Sequence, residues 1–193
     1  MKSLIFFSHN QKKIKEVKNI FIKNNLHIKN LNNLNKIKEP IENGRSFAEN
    51  AKIKSLYGYK KFNLPCFADD SGICINALNK KPGIHSKRFL ENFKNYKEAF
   101  NYIISKTKIK NDKRAFFNTT ICLTLNPAHH IFFVGKINGT ISDKPRGVNG
   151  FGYDPIFVPN GLDKTFAEMK SDKKNNVSHR MIALQKMESF LFN

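Results

Sequence analysis

The chain has 193 residues, of which 40% are hydrophobic, and a formal net charge of +19. This length and apolar content allow a real core, and we predict a single domain over 1–193 that can comprise two lobes. The cysteines Cys66, Cys74 and Cys122 have neither an even count nor Cys-x-x-Cys spacing, which excludes a disulfide framework and predicts reduced core residues of a cytoplasmic protein. The apolar run 4–7 is too short for a secretory signal.

The N-terminal segment predicts a strand that turns directly into a helix. Residues 4–7 are a short apolar run, Ser8 and Gln11 have capping-box spacing, and apolar residues then recur at helical intervals. Free amides at such a helix start, its dipole and the Lys13 ammonium together favour a polyphosphate. An ordinary structural start of an α/β protein is the alternative. The candidate phosphate-binding residues are Ser8, His9, Asn10, Gln11, Lys12 and Lys13.

A second helix is predicted to begin after Ser46, because Glu49 follows it at capping-box spacing. Its stripe of small or apolar residues predicts core packing. Glu42 precedes this helix on a glycine-containing loop, where its carboxylate could reach a metal ion. Lys54, further along the helix, could face phosphates or simply water.

Two adjacent carboxylates, Asp69 and Asp70, follow the apolar residues 64–67, and we predict a sharp turn at this point. The carboxylates repel each other, and a hard divalent cation or a shared proton would explain why this repulsion is tolerated. The pair therefore predicts a site for Mg²⁺. A solvated turn is the alternative.

The span 115–135 has no acidic or basic side chain, which raises the possibility of a membrane segment. Polar residues interrupt it, however, and its apolar residues alternate with period two. This pattern predicts a strand, an Asn-Pro turn at Asn126 and a second strand over 131–134, and no membrane span.

Two C-terminal segments predict a binding site for a flat ring. Three glycines surround two aromatic residues at 147–154, so that Phe151 or Tyr153 could stack while Asp154 serves as a polar anchor. An ordinary packed turn is the alternative. A last helix is predicted to open at 178–180, where it would point an imidazole and a guanidinium toward a common site, although such pairs are more often at the surface. The candidate residues are Phe151, Gly152, Tyr153, Asp154, Lys174, His179 and Arg180.

Seven motifs, taken in order, resemble the inosine triphosphate pyrophosphatase family, also called Ham1-like or non-canonical purine NTP pyrophosphatases. They are Ser8-x-Asn10-x-x-Lys13-x-x-Glu16, Ser46-Phe47-x-Glu49-Asn50-Ala51-x-x-Lys54, Ala68-Asp69-Asp70-Ser71-Gly72, Pro82-Gly83-Ile84-His85-Ser86-Lys87-Arg88-Phe89, Phe151-Gly152-Tyr153-Asp154-Pro155, Phe166-Ala167-Glu168-Met169 and Ser178-His179-Arg180. The resemblance covers nearly the whole chain. His9 stands where the family usually has glycine, so its imidazole either points away from the phosphates or adds a contact.

The resemblance implies an α/β fold, with a mixed sheet flanked by helices in an elongated two-lobed subunit and a nucleotide cleft between the lobes. It also implies a homodimer and a Mg²⁺-dependent reaction, in which a non-standard purine triphosphate and water give the monophosphate and pyrophosphate. Asp70 is the candidate for orienting and deprotonating water, and Asp70, with Asp69 or Glu42, for holding the metal. Ser71 and Arg88 join the candidate substrate-binding residues.

The positive charge favours a different function, a basic nucleic-acid-binding protein without catalysis. Lysines alternate with aromatic residues at 59–62 and 93–97, as in proteins that bind single strands. Lysines are spread along the whole chain, however, and the richness in Asn, Ile, Phe and Lys is typical of AT-rich codons. We therefore expect a nucleotide substrate rather than a nucleic-acid partner.

Overall fold

The computed structural model describes residues 3–21, 27–30 and 37–192. These ranges contain the strands β1 (Ser3–Phe6), β2 (His27–Asn30), β3 (Cys66–Ile75), β4 (Lys81–Pro82), β5 (Arg114–Asn126), β6 (His129–Ile141) and β7 (Phe157–Pro159). The helices are α1 (Gln11–Phe21), α2 (Phe47–Phe62), α3 (Ser86–Glu91), α4 (Tyr96–Ile109), α5 (Ser171–Val177) and α6 (His179–Phe192). In the described part of the chain, no helix is both long and apolar enough to cross a bilayer.

The strands form a mixed sheet in the order β2-β1-β3-β5-β6-β7, with β4 paired to β3. β1 pairs in parallel with both β2 and β3, while β4 pairs with β3 and β7 with β6 in antiparallel fashion. The predicted mixed α/β fold is confirmed, as is the strand–turn–strand over β5 and β6. The nucleotide cleft stays a prediction.

The chain divides into two compact units. Unit 1 comprises Met1–Asp70, Thr119–Gly135 and Ile182–Asn193, and unit 2 comprises Ser71–Asn118 and Lys136–Met181. Each unit has a hydrophobic core of its own, and three of the sheet's strands contribute residues to both units.

In unit 1, alternate residues of β1 and Phe7, directly after it, enter two different hydrophobic clusters, because successive side chains of extended backbone point to opposite sides. Leu4 and Phe6 pack with apolar residues of α1 and α6, whereas Ile5 and Phe7 pack with residues of β3 and α2. Gly58 allows α2 to approach closely, because a Cβ there would lie 2.4 Å from Cys66 Sγ and 2.9 Å from the Phe7 ring.

The core of unit 2 is built from apolar residues of β3, α4, β5 and β7. Phe117 is central to it: its ring lies 4.7 Å from Phe157 and 6.0 Å from Phe166, centroid to centroid. The three cysteines are buried and free, as predicted. Burial raises the pKa of the Cys66 thiol, which keeps it protonated.

Two local predictions are wrong. Ser8 does not cap α1; the side chain of Asn10 accepts hydrogen bonds from the amides of Lys12 and Lys13, while Ser8 Oγ accepts one from Asn10 N. The Asp pair does not form a turn either, because β3 continues through it. Charged residues are tolerated inside this buried strand because polar side chains from α1 and α2 hold both carboxylates.

Candidate functional site

α1 and β3 bring Lys13 and Asp69 together in unit 1. Lys13 Nζ donates to Asp69 Oδ2 at 2.9 Å, and the Asp69 side chain is only 2% exposed. The cap at Asn10 fixes the first turn of α1, so that Lys13 is anchored to the polar loop 8–10. Gln11 and Lys12 start the helix and are exposed.

Helix α2 brings two groups to Asp70. Asn50 Nδ2 donates to Asp70 Oδ2 at 3.1 Å, and Lys54 Nζ lies 3.8 Å from Asp70 Oδ1. Lys54 also forms an ion pair with Glu42 Oε1 at 2.8 Å. Burial raises the pKa of Asp70 above its ordinary value, although Lys54 and Asn50 act in the opposite direction.

We call Lys13, Glu42, Lys54, Asp69 and Asp70 the carboxylate–lysine cluster. Burial alone would lower the pKa of Lys54, but the charges of Asp70, Asp69 and Glu42 raise it. The electrostatic field at Lys54 therefore favours a positive charge.

The carboxylate–lysine cluster fits Mg²⁺ by its donor chemistry. It offers carboxylate oxygens, the ligands that hard divalent cations take, in a field that attracts cations. Within the described ranges, no three His, Cys, Asp or Glu side chains are already grouped as a metal site. In this structure Glu42 and Asp70 instead face the ammonium of Lys54.

His9 contacts Glu39. Its Nδ1 lies 2.9 Å from Glu39 Oε1, and its ring stands edge-on to Phe7 with 6.0 Å between centroids. Burial alone would raise the pKa of Glu39. The hydrogen bond and charge of His9 outweigh this effect, so the pKa of Glu39 lies below its ordinary value. Both alternatives for His9, pointing away from the phosphates or contacting them, stay predictions.

In unit 2, Asp154 organises the glycine-rich loop. Its Oδ2 accepts hydrogen bonds from Lys174 Nζ at 2.6 Å and from Phe151 N at 2.7 Å. Lys174 Nζ also lies 4.9 Å from the centre of the Phe151 ring, a cation–π contact. Phe151, Asp154 and Lys174 form the Asp154 cluster, and Gly152 lies in its loop with a φ of +60°.

Tyr153 does not serve as a stacking surface. It is buried in the core of unit 2, and its hydroxyl donates to the Ser86 carbonyl at 2.8 Å. Burial raises its pKa, so the phenol stays neutral. Phe151 is half-buried, and its role as a stacking ring stays a prediction.

Both residues that open α6 are buried, so the surface-pair alternative is excluded. Ser178 Oγ caps the helix by accepting from Met181 N. The His179 ring stacks on Phe117 at 4.6 Å with an interplanar angle of 8°. Arg180 Nη2 donates to Ser71 Oγ at 3.2 Å, which brings two predicted residues of unit 2 together, whereas Arg88 is exposed on α3.

Sequence reasoning missed the roles of Asn50 and Phe117. Asn50 lies four residues before Lys54, so both face the same side of α2, and that spacing was a usable signal. The stack of Phe117 on His179 joins residues that are far apart in the chain, and no local pattern indicates it.

The structure does not favour the nucleic-acid alternative. Phe62 and Tyr59, from the first aromatic–lysine stretch, pack against a core cluster of unit 1. Phe93, from the second, packs against Phe89 and Tyr102 at 5.3 and 5.5 Å between ring centroids. These rings are used for internal packing.

Comparisons with known proteins agree with the resemblance. A model described as the Ham1 family matches residues 4–190. The chain is 35% identical over 192 residues to a dITP/XTP pyrophosphatase of Porphyromonas gingivalis, covering 99% of this chain and 98% of that protein. It is 36% identical over 193 residues to a dITP/XTP pyrophosphatase of Bacillus subtilis, with coverage of 99% and 98%.

Solved structures give the same result. The Ham1 protein of Staphylococcus aureus superposes with a TM-score of 0.86 at 36% identity, covering 98% of both chains. A HAM1 protein from Coxiella burnetii superposes with a TM-score of 0.88 at 32% identity, covering 99% of this chain and 98% of that one.

Proposed function

Because the chain belongs to the Ham1 family, we propose that it hydrolyses non-canonical purine nucleoside triphosphates, ITP, dITP and XTP, to the monophosphate and pyrophosphate. This reaction would cleanse the nucleotide pool. The structural observation that carries the proposal is the carboxylate–lysine cluster, in which buried acids and lysines meet at the polar loop that follows β1.

Lys13 and Lys54 are the groups proposed to bind the triphosphate. Each is held by carboxylates before substrate arrives, so its ammonium is already oriented. The amides of loop 8–13 add donors at the start of α1, where the helix dipole also favours an anion.

We assign the Mg²⁺ site to Asp70, with Asp69 and Glu42 as its neighbours. When bound, the ion would neutralise charge on the phosphate oxygens. The protein's own contribution is to hold each carboxylate against a donor group: Asp70 contacts Asn50, Asp69 contacts Lys13, and Glu42 contacts Lys54.

Asp70 is also the proposed general base. Its Oδ2 accepts from Asn50 and its Oδ1 lies 3.8 Å from Lys54 Nζ, so the carboxylate is held in place where it would take the water proton. Burial raises the pKa of this carboxyl, which makes it a better proton acceptor than an exposed aspartate. The hydroxide would attack the α-phosphorus, and the bond to the β-phosphate oxygen would break to release pyrophosphate.

Base selection is assigned to unit 2. Hypoxanthine and xanthine carry a C6 carbonyl that accepts hydrogen bonds, whereas adenine carries an amino donor. Donors from Lys174, His179 and Arg180 would satisfy the carbonyl and oppose the amino group, at a cost of ~1–3 kcal/mol for each buried donor left facing a donor. Phe151 supplies the stacking ring.

A pyrophosphate-release assay on a panel of purine and pyrimidine triphosphates, with and without Mg²⁺, tests the proposal. We expect rapid hydrolysis of dITP, ITP and XTP, slow hydrolysis of ATP, and no turnover after chelation. Equal turnover of ATP and ITP would contradict the base selection, and activity in chelator would contradict the metal. A homodimer and a cytoplasmic location are proposed as well, and light scattering and cell fractionation would check them.

A further inference from the structure

Asn50 joins Asp70 to the loop that carries Glu42. It is fully buried in the first turns of α2. Its Nδ2 donates to Asp70 Oδ2 at 3.1 Å, and its Oδ1 accepts from Gly44 N at 2.9 Å. Because one amide end must donate and the other accept, only one orientation of this side chain satisfies both contacts.

Two residues on one face of α2 lie beside the two carboxylate oxygens of Asp70. Asn50 and Lys54 are separated by one helical turn, so their side chains are neighbours on α2. Asn50 contacts Oδ2 and Lys54 lies near Oδ1, so rotation of the Asp70 carboxylate would disturb both. Lys54 further holds Glu42, two residues before Gly44, and the contacts therefore close into a ring.

The contact between the loop and Asn50 leaves no room for a side chain at Gly44. A Cβ at Gly44 would lie 2.6 Å from Asn50 Oδ1 and 2.7 Å from the Cβ of Glu49, both too close for a side chain. The loop thus approaches Asn50 as closely as its backbone allows. Asn50 therefore sets the distance between the loop of Glu42 and Asp70.

We propose that Asn50 is a positioning residue for hydrolysis, which fixes the orientation of the Asp70 carboxylate and holds the Glu42 loop beside it. This inference rests on the proposed function. Asn50 is fully buried and both ends of its side-chain amide bond to protein groups, so it acts through Asp70 and the loop.

A positioning role predicts a particular kinetic effect. Asp70 acts on the water in the transition state, whereas Lys13 and the donors of unit 2 bind the substrate already in the ground state. Loss of Asn50 should therefore lower kcat and leave KM nearly unchanged. Groups that orient a metal- or water-handling carboxylate typically contribute a factor of about 10 to 100.

The first test compares Asn50→Ala with Ser55→Ala, using dITP hydrolysis and thermal unfolding. Ser55 is a matched control because it too is fully buried on α2, with its hydroxyl 2.8 Å from Thr124 Oγ1, outside the carboxylate–lysine cluster. We expect Asn50→Ala to lower kcat by at least about tenfold and to leave KM nearly unchanged. Ser55→Ala should lose comparable stability and keep its kcat. Equal kcat for both variants would overturn the proposal.

The second test does not depend on catalysis. Asn50→Asp keeps the acceptor for Gly44 N but places a carboxylate against Asp70, so we expect a lower unfolding temperature. Adding Asp70→Asn exchanges the two residues and restores one donor and one acceptor at the contact, so the unfolding temperature should recover. If the exchanged pair is no more stable than Asn50→Asp alone, the proposed contact does not hold Asp70.

The two failures can be told apart. A wild-type protein that releases no pyrophosphate from any substrate refutes the proposed function, while the exchange experiment still decides whether Asn50 holds Asp70. An active wild type with an equally active Asn50→Ala variant refutes this inference alone.

Discussion

The polar groups of the two units differ in how their charges are balanced. In unit 1, three buried or half-buried carboxylates share two lysines, and this excess of negative charge raises the pKa of Lys54. In unit 2, Asp154 is held by Lys174 and by the amide of Phe151, while His179 stacks on an aromatic ring. The first arrangement is suited to cations and to proton transfer, and the second presents donors and flat rings. This division predicts that variants in unit 1 change the turnover or binding of dITP, whereas variants in unit 2 change the discrimination between dITP and dATP.

The largest effect is expected for Asp70→Asn, which removes the proposed base from unit 1. Activity on dITP should fall by at least about a hundredfold, because general-base assistance contributes ~10²–10⁴-fold. Stability should be equal or greater: the folded state raises the pKa of Asp70, so its carboxylate opposes folding at neutral pH. That penalty decreases as the pH falls through the raised pKa. Steady-state kinetics and unfolding curves across pH measure both effects.

Asp69→Asn is the control for this prediction. An inactive Asp69 variant beside an active Asp70 variant would mean that the roles within the pair are reversed. If both variants stay active, the pair has no catalytic role. The assignment of cation binding and proton transfer to unit 1 would then be wrong.

Lys13→Ala should raise the KM for dITP by about tenfold to a hundredfold, since a charged hydrogen bond contributes ~1.5–3 kcal/mol to binding. The variant also deprives buried Asp69 of the ammonium 2.9 Å away, so its unfolding temperature should fall. The double variant with Asp69→Asn separates the two effects: stability should return while KM stays high. An unchanged KM in Lys13→Ala would limit Lys13 to a structural role.

His179→Phe tests unit 2. Phenylalanine can keep the stack on Phe117 but has no donor, so discrimination between dITP and dATP should fall by about tenfold at little cost in stability. Phe117→Leu is the complementary variant, which weakens the stack and keeps the imidazole. Competition between the two nucleotides measures the ratio, and an unchanged ratio in His179→Phe would assign the imidazole to packing alone.

The smallest effect is expected for Glu39→Gln. The partners His9 and Glu39 are partly exposed, and such pairs contribute at most about 1 kcal/mol. Because His9 lowers the pKa of Glu39 below 4.5, the contribution should be present above that pH and disappear as the pH falls through the lowered value. Urea unfolding of both proteins across this pH range, at two salt concentrations, checks this. A large change in KM would instead connect the pair to phosphate binding.

Local signals predicted the local structure well. The Ser46 and Glu49 spacing predicted the start of α2, where Ser46 Oγ accepts from Glu49 N, and the alternation after Ala115 predicted β5. The errors arose where distant groups override local preference. Asp69 and Asp70 suggest a turn when read alone, but Lys13 and Asn50, distant in sequence, hold them inside a strand.

The motifs predicted which residues belong to the candidate site, but they did not predict which of these residues contact each other. The motifs named the acids and lysines, yet they did not show that Glu42 faces Lys54 or that Tyr153 is buried with its hydroxyl on Ser86. These contacts depend on how loops pack against helices, which a short motif does not encode. The spacing of Asn50 and Lys54 indicates that both lie on one face of α2, but it does not indicate that Asn50 contacts Gly44 and Asp70.

The close approach of α2 at Gly58 makes the proposed chemistry sensitive to a residue that carries no functional group. A methyl group at position 58 would collide with Cys66 Sγ and the Phe7 ring, so α2 would have to move away from the strands beneath it. A helix moves as a nearly rigid rod, and Lys54 lies only about 6 Å along the axis from Gly58. Displacement by a few tenths of an ångström would lengthen the contacts that Asn50 and Lys54 make with Asp70. Gly58→Ala, harmless in most helices, would here act as a loss-of-function mutation at a distance.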